Sequence, residues 1–346
     1  MTRWLVTGGK GLVGQRLLAR LSRSQEGCGA IAARECIGLL RGPVSPEHAL
    51  PGVRYRICGD LAVIEDWAPF VEGVDILVHS AARVHVMSDT EPDPLAAFRR
   101  VNTDGTLKLA RAAALAGVRR FIYLSSIKVN GERTAAGQMF THRDVPAPSD
   151  PYAISKREAE DGLREIAATA AMELVIVRPP LVYGPGVQGN FLTMMRWLRR
   201  GVPLPFGAIH NRRSLVALDN LVDLLATCGE HPRAPNETFL ASDGEDVSTT
   251  ELLRRTARAM GVRARLLPVP ESLLRGAAAL AGRGDVATRL FDSLLIDPSH
   301  TRQRLSWEPP LSLDEGLALA TGEPPRVVNA ERSVTELTPR TRSGLH

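Results

Sequence analysis

Cysteine is scarce in this 346-residue sequence, which holds four. Cys28, Cys36, Cys58 and Cys228 are spaced neither as a zinc ligand set nor as a redox Cys-x-x-Cys pair, so no metal site is expected. A disulfide scaffold is excluded, and a reducing compartment is the natural inference. Long apolar runs are missing too. Leu273 to Ala281 is interrupted by Arg275 and falls well short of the roughly 20 residues of a membrane span, so no membrane insertion is expected. Met1-Thr2-Arg3 leads straight into Trp4-Leu5-Val6 with no room for a cleavable leader, and a cytoplasmic location is the expectation. There is no basic block either. The net charge is +5, but the arginines are dispersed without interleaved aromatics, which argues against nucleic acid as a partner. A mildly basic surface does suit a small ligand carrying phosphates. No internal repeat appears.

What is present reads as alternating strands and helices. Trp4 to Thr7 forms a short apolar strand, and Gly8-Gly9-Lys10-Gly11-Leu12-Val13-Gly14 follows at once. Leu12, Val13, Leu17, Leu18 and Leu21 then recur at helical spacing, which puts the glycines at a strand-to-helix junction. Gly8, Gly11 and Gly14 give Gly-x-x-Gly-x-x-Gly, a turn that lets backbone approach a dinucleotide pyrophosphate at the positive end of a helix. Cys36 to Leu40 is the next strand and ends at Arg41. An acidic residue there would hold the ribose of NAD, whereas an arginine suits the 2′-phosphate of NADP, so NADP is favoured over NAD. Val53 to Ile57 is a third strand, with Asp60 and Leu61 beyond its end beside the adenine position. Asp75 to His79 is a fourth, and Ala81 and Ala82 after it are small enough for a cofactor to pass closely. For His79 and His85, packing or surface roles are expected.

One helix is predicted from Pro94 to Ala116, carrying Asn102, and Arg119 to Leu124 delivers Ser125 and Ser126 to the carboxyl end of the sheet. Tyr152-Ala153-Ile154-Ser155-Lys156 opens the next helix. One helical turn separates the Tyr152 phenol from the Lys156 ammonium, so a cation is expected to favour the phenolate and to bring this tyrosine closer to proton transfer at neutral pH. Lys128 to Pro151 is rich in loop formers, which allows Ser126 and Tyr152 to converge. Met172 to Arg178 is a sixth strand, and the run Pro179 to Gly186 marks a boundary. Beyond it, Asn190 opens a helix, and Arg212 and Arg213 together form a candidate clamp for a diphosphate. Ser248-Thr249-Thr250-Glu251 is a capping box.

Taken in order, Thr7 to Gly14, Gly59-Asp60-Leu61, His79-Ser80-Ala81-Ala82, Asn102 to Thr106, Leu124-Ser125-Ser126, Tyr152 to Lys156 and Arg178-Pro179-Pro180 resemble the extended short-chain dehydrogenase/reductase family, in its nucleotide-sugar branch. The resemblance covers residues 3 to about 320. It implies an α/β fold: a Rossmann-type doubly wound parallel sheet over residues 1–180, and a smaller substrate-binding lobe over 181–322 with some exchange of elements. Residues 323–346 are expected to be a mobile tail. It also implies site roles. Ser126 binds the reacting sugar oxygen, Tyr152 is the acid/base, and Lys156 holds the nicotinamide ribose. Gly8, Gly11, Leu12, Val13, Gly14, Arg41, Asp60, Leu61, Ala81, Ala82, Asn102 and Pro179 are expected at the cofactor, and Asn190 and Arg213 at the sugar-nucleotide phosphates.

Within that branch, His85-Val86-Met87, Phe98 to Asn102 and Ser125 to Glu132 look like enzymes that reduce UDP-4-keto-6-deoxy-N-acetylglucosamine, which implies a UDP-sugar substrate and an NAD(P)H-dependent C4 reductase. The alternative is a UDP-sugar 4-epimerase. Asn130, where those epimerases usually carry tyrosine, weakens that alternative. A remote third possibility is a cofactor-binding regulator without catalysis. The resemblance further implies a homodimer paired through the helices around 94–116 and 152–169.

Overall fold

The structure, a computed structural model, describes residues 1–23, 34–84, 91–282 and 284–322. The expectations for Cys28, for His85 to Met87 and for the 323–346 tail fall outside the described residues. The first half alternates as the sequence pattern requires. Strands β1 (Thr2–Thr7), β2 (Arg34–Leu40), β3 (Val53–Ile57), β4 (Ile76–His79), β5 (Arg120–Leu124) and β6 (Glu173–Arg178) are interleaved with α1 (Leu12–Arg23), α2 (Ala68–Val71), α3 (Pro94–Phe98), α4 (Thr106–Leu115) and α5 (Pro151–Thr169). Strands β1 and β2 each begin two residues earlier than their apolar runs, because the pairs Thr2/Arg34 and Arg3/Glu35 extend the ladder with polar residues.

The remaining chain supplies β7 (Leu181–Tyr183), β8 (Arg213–Ala217), β9 (Glu237–Leu240) and β10 (Asp246–Val247), with α6 (Asn190–Arg199), α7 (Leu218–Glu230), α8 (Thr249–Ala259), α9 (Glu271–Leu280), α10 (Gly284–Phe291), α11 (Ser299–Leu305) and α12 (Leu313–Thr321). Seven strands form one sheet in the order β3-β2-β1-β4-β5-β6-β9, and β10-β8-β7 form a second. All pairings in the large sheet are parallel. Because β9 pairs with β6, residues from beyond 181 complete the nucleotide-side sheet.

Successive residues of a strand face opposite sides, and β1 shows the result. Trp4 and Val6 join the cluster packed under α1 and α7, while Leu5 joins the cluster under α2, α4 and α5. Both faces are buried, as a parallel sheet demands. A third cluster, built from Tyr183, Phe191, Leu215, Leu253 and Leu317, makes a separate core for the smaller lobe. The strand order reverses direction between β1 and β4, and ligands of such sheets bind outside the carboxyl ends of the strands at that point.

One expected element differs in detail. The predicted helix 94–116 is three pieces, with a π-helical stretch Arg99–Gly105 between α3 and α4. The apolar pattern does not reveal this, since one wide turn shifts the period by a single residue.

Candidate active site

The glycine turn joins β1 to α1 at the strand-order switch. Gly8 has φ +69°, and a side chain there would sit 3.0 Å from the Ala81 backbone. A Cβ at Gly14 would collide with the Gly8 carbonyl. The first turn of a helix has amides without intrahelical acceptors, so those of Leu12 and Val13 are available to an anion. Ala81 and Ala82 follow β4, with the Ala81 amide donating to the Thr7 hydroxyl at 3.2 Å. Backbone crowding thus keeps the Gly8/Ala81 crossing free of side chains, a groove whose make-up fits a dinucleotide.

Farther along, Arg41 and Asp60 meet in an exposed ion pair at 2.7 Å. Asp60 also accepts from the Ala62 amide at 3.0 Å, fixing the loop that holds Leu61. Asn102 is buried, and its amide is hydrogen-bonded to the chain beside the groove. It accepts from the Arg83 amide at 2.8 Å and donates to the Arg83 carbonyl at 3.0 Å and to Ser155 at 3.1 Å. Its part in the groove is therefore to hold the Arg83 backbone against α5. The Pro179 carbonyl accepts from the Ile127 amide at 2.9 Å, which braces the segment carrying Ser126. His79 is buried between the hydroxyls of Thr7 and Thr106, at 2.8 Å and 2.9 Å. Burial, aided by the Lys156 charge, pushes it down to about 3, so it stays neutral and packs.

Ser126, Tyr152 and Lys156 come together at the carboxyl end of β5. Tyr152 begins α5 one residue after Pro151, with Asp150 as N-cap accepting from the Ala153 amide at 2.6 Å. Its phenol is hydrogen-bonded to Ser126, and its ring meets Phe98 edge-on at 6.0 Å. Lys156 is buried, donates to the Leu124 carbonyl at 2.9 Å, and lies 4.6 Å from the Tyr123 ring centre and 6.0 Å from that of Tyr152. The expected direction of the tyrosine's shift is corrected here. Burial first, and the Asp150 carboxylate second, push the Tyr152 phenol up to about 12, against the pull of the Ser126 hydrogen bond. Desolvation outweighs the neighbouring ammonium, because the same burial brings Lys156 down to about 7 against the opposing influence of Glu160.

Two groups of residues escaped the sequence analysis. Glu160, two turns after Tyr152 on the same helix face, is fully buried and accepts from Ser125 at 2.6 Å, from Arg178 at 2.9 Å and from Arg164 at 3.1 Å. Burial works to raise its pKa, but the hydrogen bonds and charge of Arg178 outweigh it and hold the carboxyl below its usual range. Arg178 also donates to Asn130 at 2.8 Å, so Asn130 belongs to this network. An acidic residue on the apolar face of α5 was the available signal. The second group is Lys128, which pairs with Asp150 and, at 2.9 Å, with Glu132, while its amide donates to Ser126 at 3.3 Å. It ties the serine segment to the start of the tyrosine helix.

On the lobe side, Arg213 is half-buried and donates to the Asp292 carbonyl at 3.0 Å; burial lowers its pKa. Arg212 turns away to Asp246 at 3.2 Å. Arg212 lies exposed just before β8 and Arg213 is its first residue, so the two arginines of the expected clamp are held by different partners. Asn190 is exposed at the first residue of α6. Ser248 caps α8 through the Glu251 amide at 3.0 Å, while Glu251 itself leans toward Arg254. Among the described residues, no cluster of three or more His, Cys, Asp or Glu side chains is placed to hold a metal ion, and no helix is long and apolar enough to cross a membrane.

A glycine turn at the switch of a parallel sheet, with serine, tyrosine and lysine gathered at the neighbouring strand end, defines a nicotinamide-dependent enzyme of the short-chain dehydrogenase/reductase type. The chain belongs to the NAD dependent epimerase/dehydratase family, which matches residues 4–241. Its sequence is 44% identical over 313 residues to a UDP-glucose 4-epimerase of Vibrio cholerae, covering 90% of this chain and 92% of that protein. A ceramide reductase of Caulobacter vibrioides is 31% identical, covering 80% of this chain and 76% of that one. Among solved structures, the UDP-glucuronic acid 4-epimerase of Bacillus cereus in complex with NAD superposes with a TM-score of 0.73 at 18% identity, over 93% of this chain and 96% of the other. At that identity the match speaks for the fold alone.

Proposed function

We propose that this enzyme carries out redox chemistry at C4 of a UDP-sugar, with 4-epimerisation as the net reaction. The observation that carries the proposal is the convergence of Ser126, Tyr152 and Lys156 beside the glycine turn, taken with the 44% identity to a UDP-glucose 4-epimerase. That similarity moves the emphasis from the C4 reductase, which the sequence favoured, to the epimerase it had as the alternative.

NAD, when bound, supplies the acceptor and then the donor of a hydride. Gly8, Gly11, Leu12, Val13 and Gly14 would hold its pyrophosphate, and Asp60 and Leu61 its adenosine end. Asp60 beside Arg41 offsets the arginine's charge, which is why we take NAD rather than NADP. In this scheme Tyr152, in its phenolate form, accepts the proton of the sugar 4-hydroxyl in the oxidative half and returns it in the reductive half. Ser126 fixes the 4-oxygen against that phenol, and Lys156 supplies positive charge behind it. Arg213 faces the diphosphate. A positioned acid/base of this kind contributes about a hundred- to ten-thousandfold in rate.

A second reading, reduction of a 4-keto-6-deoxy UDP-sugar, draws on Asn130, whose amide is engaged by Arg178 where the epimerases usually carry tyrosine. Purified enzyme is offered UDP-glucose, UDP-galactose, their N-acetyl counterparts and the 4-keto-6-deoxy sugar, with NAD(H) and NADP(H) in turn. The proposal expects interconversion of a C4-epimeric pair without net cofactor consumption. Stoichiometric NADPH oxidation on the keto sugar, with no epimerisation of any pair, replaces it with the reductase.

A further inference from the structure

The smaller lobe carries a surface that the chemistry above does not use. Helices α6 and α8 pack side by side, and the chain after each returns past the other. The Leu204 amide donates to the Arg265 carbonyl, and the Leu267 amide to the Leu204 carbonyl, each at 2.8 Å. Between them runs an open groove of about 580 Å³ whose lining includes Leu198, Arg199, Gly201, Arg263, Arg265 and Leu267.

Arg199, Arg263 and Arg265 line this ledge and are exposed, and Arg196, Arg200 and Arg258 are exposed on or directly after the same two helices, α6 and α8. Among the described residues none of the six has a carboxylate partner, whereas their neighbours Arg254 and Arg255 are paired with Glu251, Glu245 and Asp314. Apolar side chains are set among these cations: Trp197 is 43% exposed, Val202 41% and Leu267 51%. Pro268 to Pro270 then leads into α9, which turns Leu274 and Ala278 toward Phe291 and leaves Leu273, Gly276, Ala277 and Leu280 outward. That outward row has the spacing of one helix face.

We propose that this ledge docks the protein on an anionic phospholipid surface, with the six guanidiniums at the headgroup phosphates and Trp197, Val202 and Leu267 in the interfacial layer. An unpaired cationic rim around exposed tryptophan and aliphatic groups is the composition that binds a charged bilayer without spanning it. Nucleic acid fits less well, since single strands are held by several stacking aromatics and Trp197 is the one aromatic on the ledge. The chain's own residues 323–346 follow α12, whose Thr321 donates to the Ala259 carbonyl of α8 at 3.4 Å. In that sequence Arg326, Arg332, Arg340 and Arg342 outnumber Glu323, Glu331 and Glu336, so it offers no net negative charge to match.

The test uses the full chain and phosphatidylcholine vesicles with or without phosphatidylglycerol. Trp4, Trp67 and Trp307 are at most 5% exposed, so a change in indole emission reports on Trp197. Expected are co-sedimentation with the anionic vesicles, a blue shift that Trp197→Phe removes, and release by salt. The triple variant Arg199→Glu, Arg263→Glu, Arg265→Glu should weaken binding by about tenfold or more while sugar turnover stays unchanged. Equal binding to neutral vesicles, or undiminished binding of the triple variant, overturns the proposal. So does retention by single-stranded DNA without vesicle binding, which makes the partner a nucleic acid. No response to either ligand, the result expected if 323–346 covers the ledge, overturns it as well.

Discussion

Helix α5 turns two sets of ionisable side chains into the protein one after the other, and it treats them in opposite ways. Glu160 is met by Ser125, Arg164 and Arg178, so a buried carboxylate keeps its charge. Lys156, one turn nearer the start of the helix, donates to the Leu124 carbonyl, and Tyr152 has a serine and an unfavourable carboxylate close by. Their proton affinities move apart as a result, the phenol up to about 12 and the ammonium down to about 7. A saturated set of partners makes a strut, and an unsaturated set makes a site that a ligand's charge can complete.

The widest separation between the two should come from Tyr152→Phe. Turnover should fall by about a hundred- to ten-thousandfold while the urea midpoint barely moves. A variant that lost several kcal/mol of stability instead would erase the distinction. Glu160→Gln should show the reverse pattern, with stability down by about 3–5 kcal/mol because Arg178 is left buried without its charge partner. Replacing both as Glu160→Leu with Arg178→Met should recover most of that loss, as measured by equilibrium unfolding.

Lys128→Met probes the boundary between the two. With Asp150 no longer neutralised beside Tyr152, the pKa of the phenol should rise further, so the ascending limb of kcat/KM should shift upward by about one pH unit and activity near neutrality should drop about tenfold. Lys128→Arg should restore both; a stability loss without any shift of the limb would reduce Lys128 to scaffolding.

The last test is in the pH dependence of folding. Lys156 titrates near 7 in the folded chain against an ordinary 10.5, so the unfolded chain binds the extra proton between those values. Its folded pKa is depressed, and the penalty for burying the ammonium is complete below pH 7 and fades as pH rises toward 10.5. Wild type should therefore gain stability relative to Lys156→Met between pH 7 and pH 10, read as the difference of their unfolding midpoints.

Much of this arrangement is written locally. The Gly8–Gly14 turn, the apolar runs at β1 to β6 and the Tyr152/Lys156 spacing each depend on a few neighbouring residues, and the sheet order follows from right-handed crossovers between parallel strands. What is not local stayed hidden. The upward shift of Tyr152 comes from burial by α3 and the β5 segment, and the Lys128 bridge joins residues on either side of a long loop. Arg212 and Arg213 read as a pair until the fold gives them different partners, the Asp246 carboxylate and the Asp292 carbonyl. Glu160 was the nearest miss: its charge interrupts a face that is otherwise apolar or catalytic, and only the arrival of Arg178 from β6 explains it.

The π-helical stretch between α3 and α4 sets the angular phase of everything that precedes it. Winding Arg99–Gly105 at ordinary pitch with its seven residues kept would swing α3 by roughly 100° about its axis. Phe98, whose ring edge meets Tyr152 at 6.0 Å, would then point elsewhere and leave the phenol without its apolar wall. The pitch of that one segment is thus as much a determinant of reactivity as any side chain, and a change there that restores ordinary pitch at unchanged length should silence the enzyme with all three polar residues untouched.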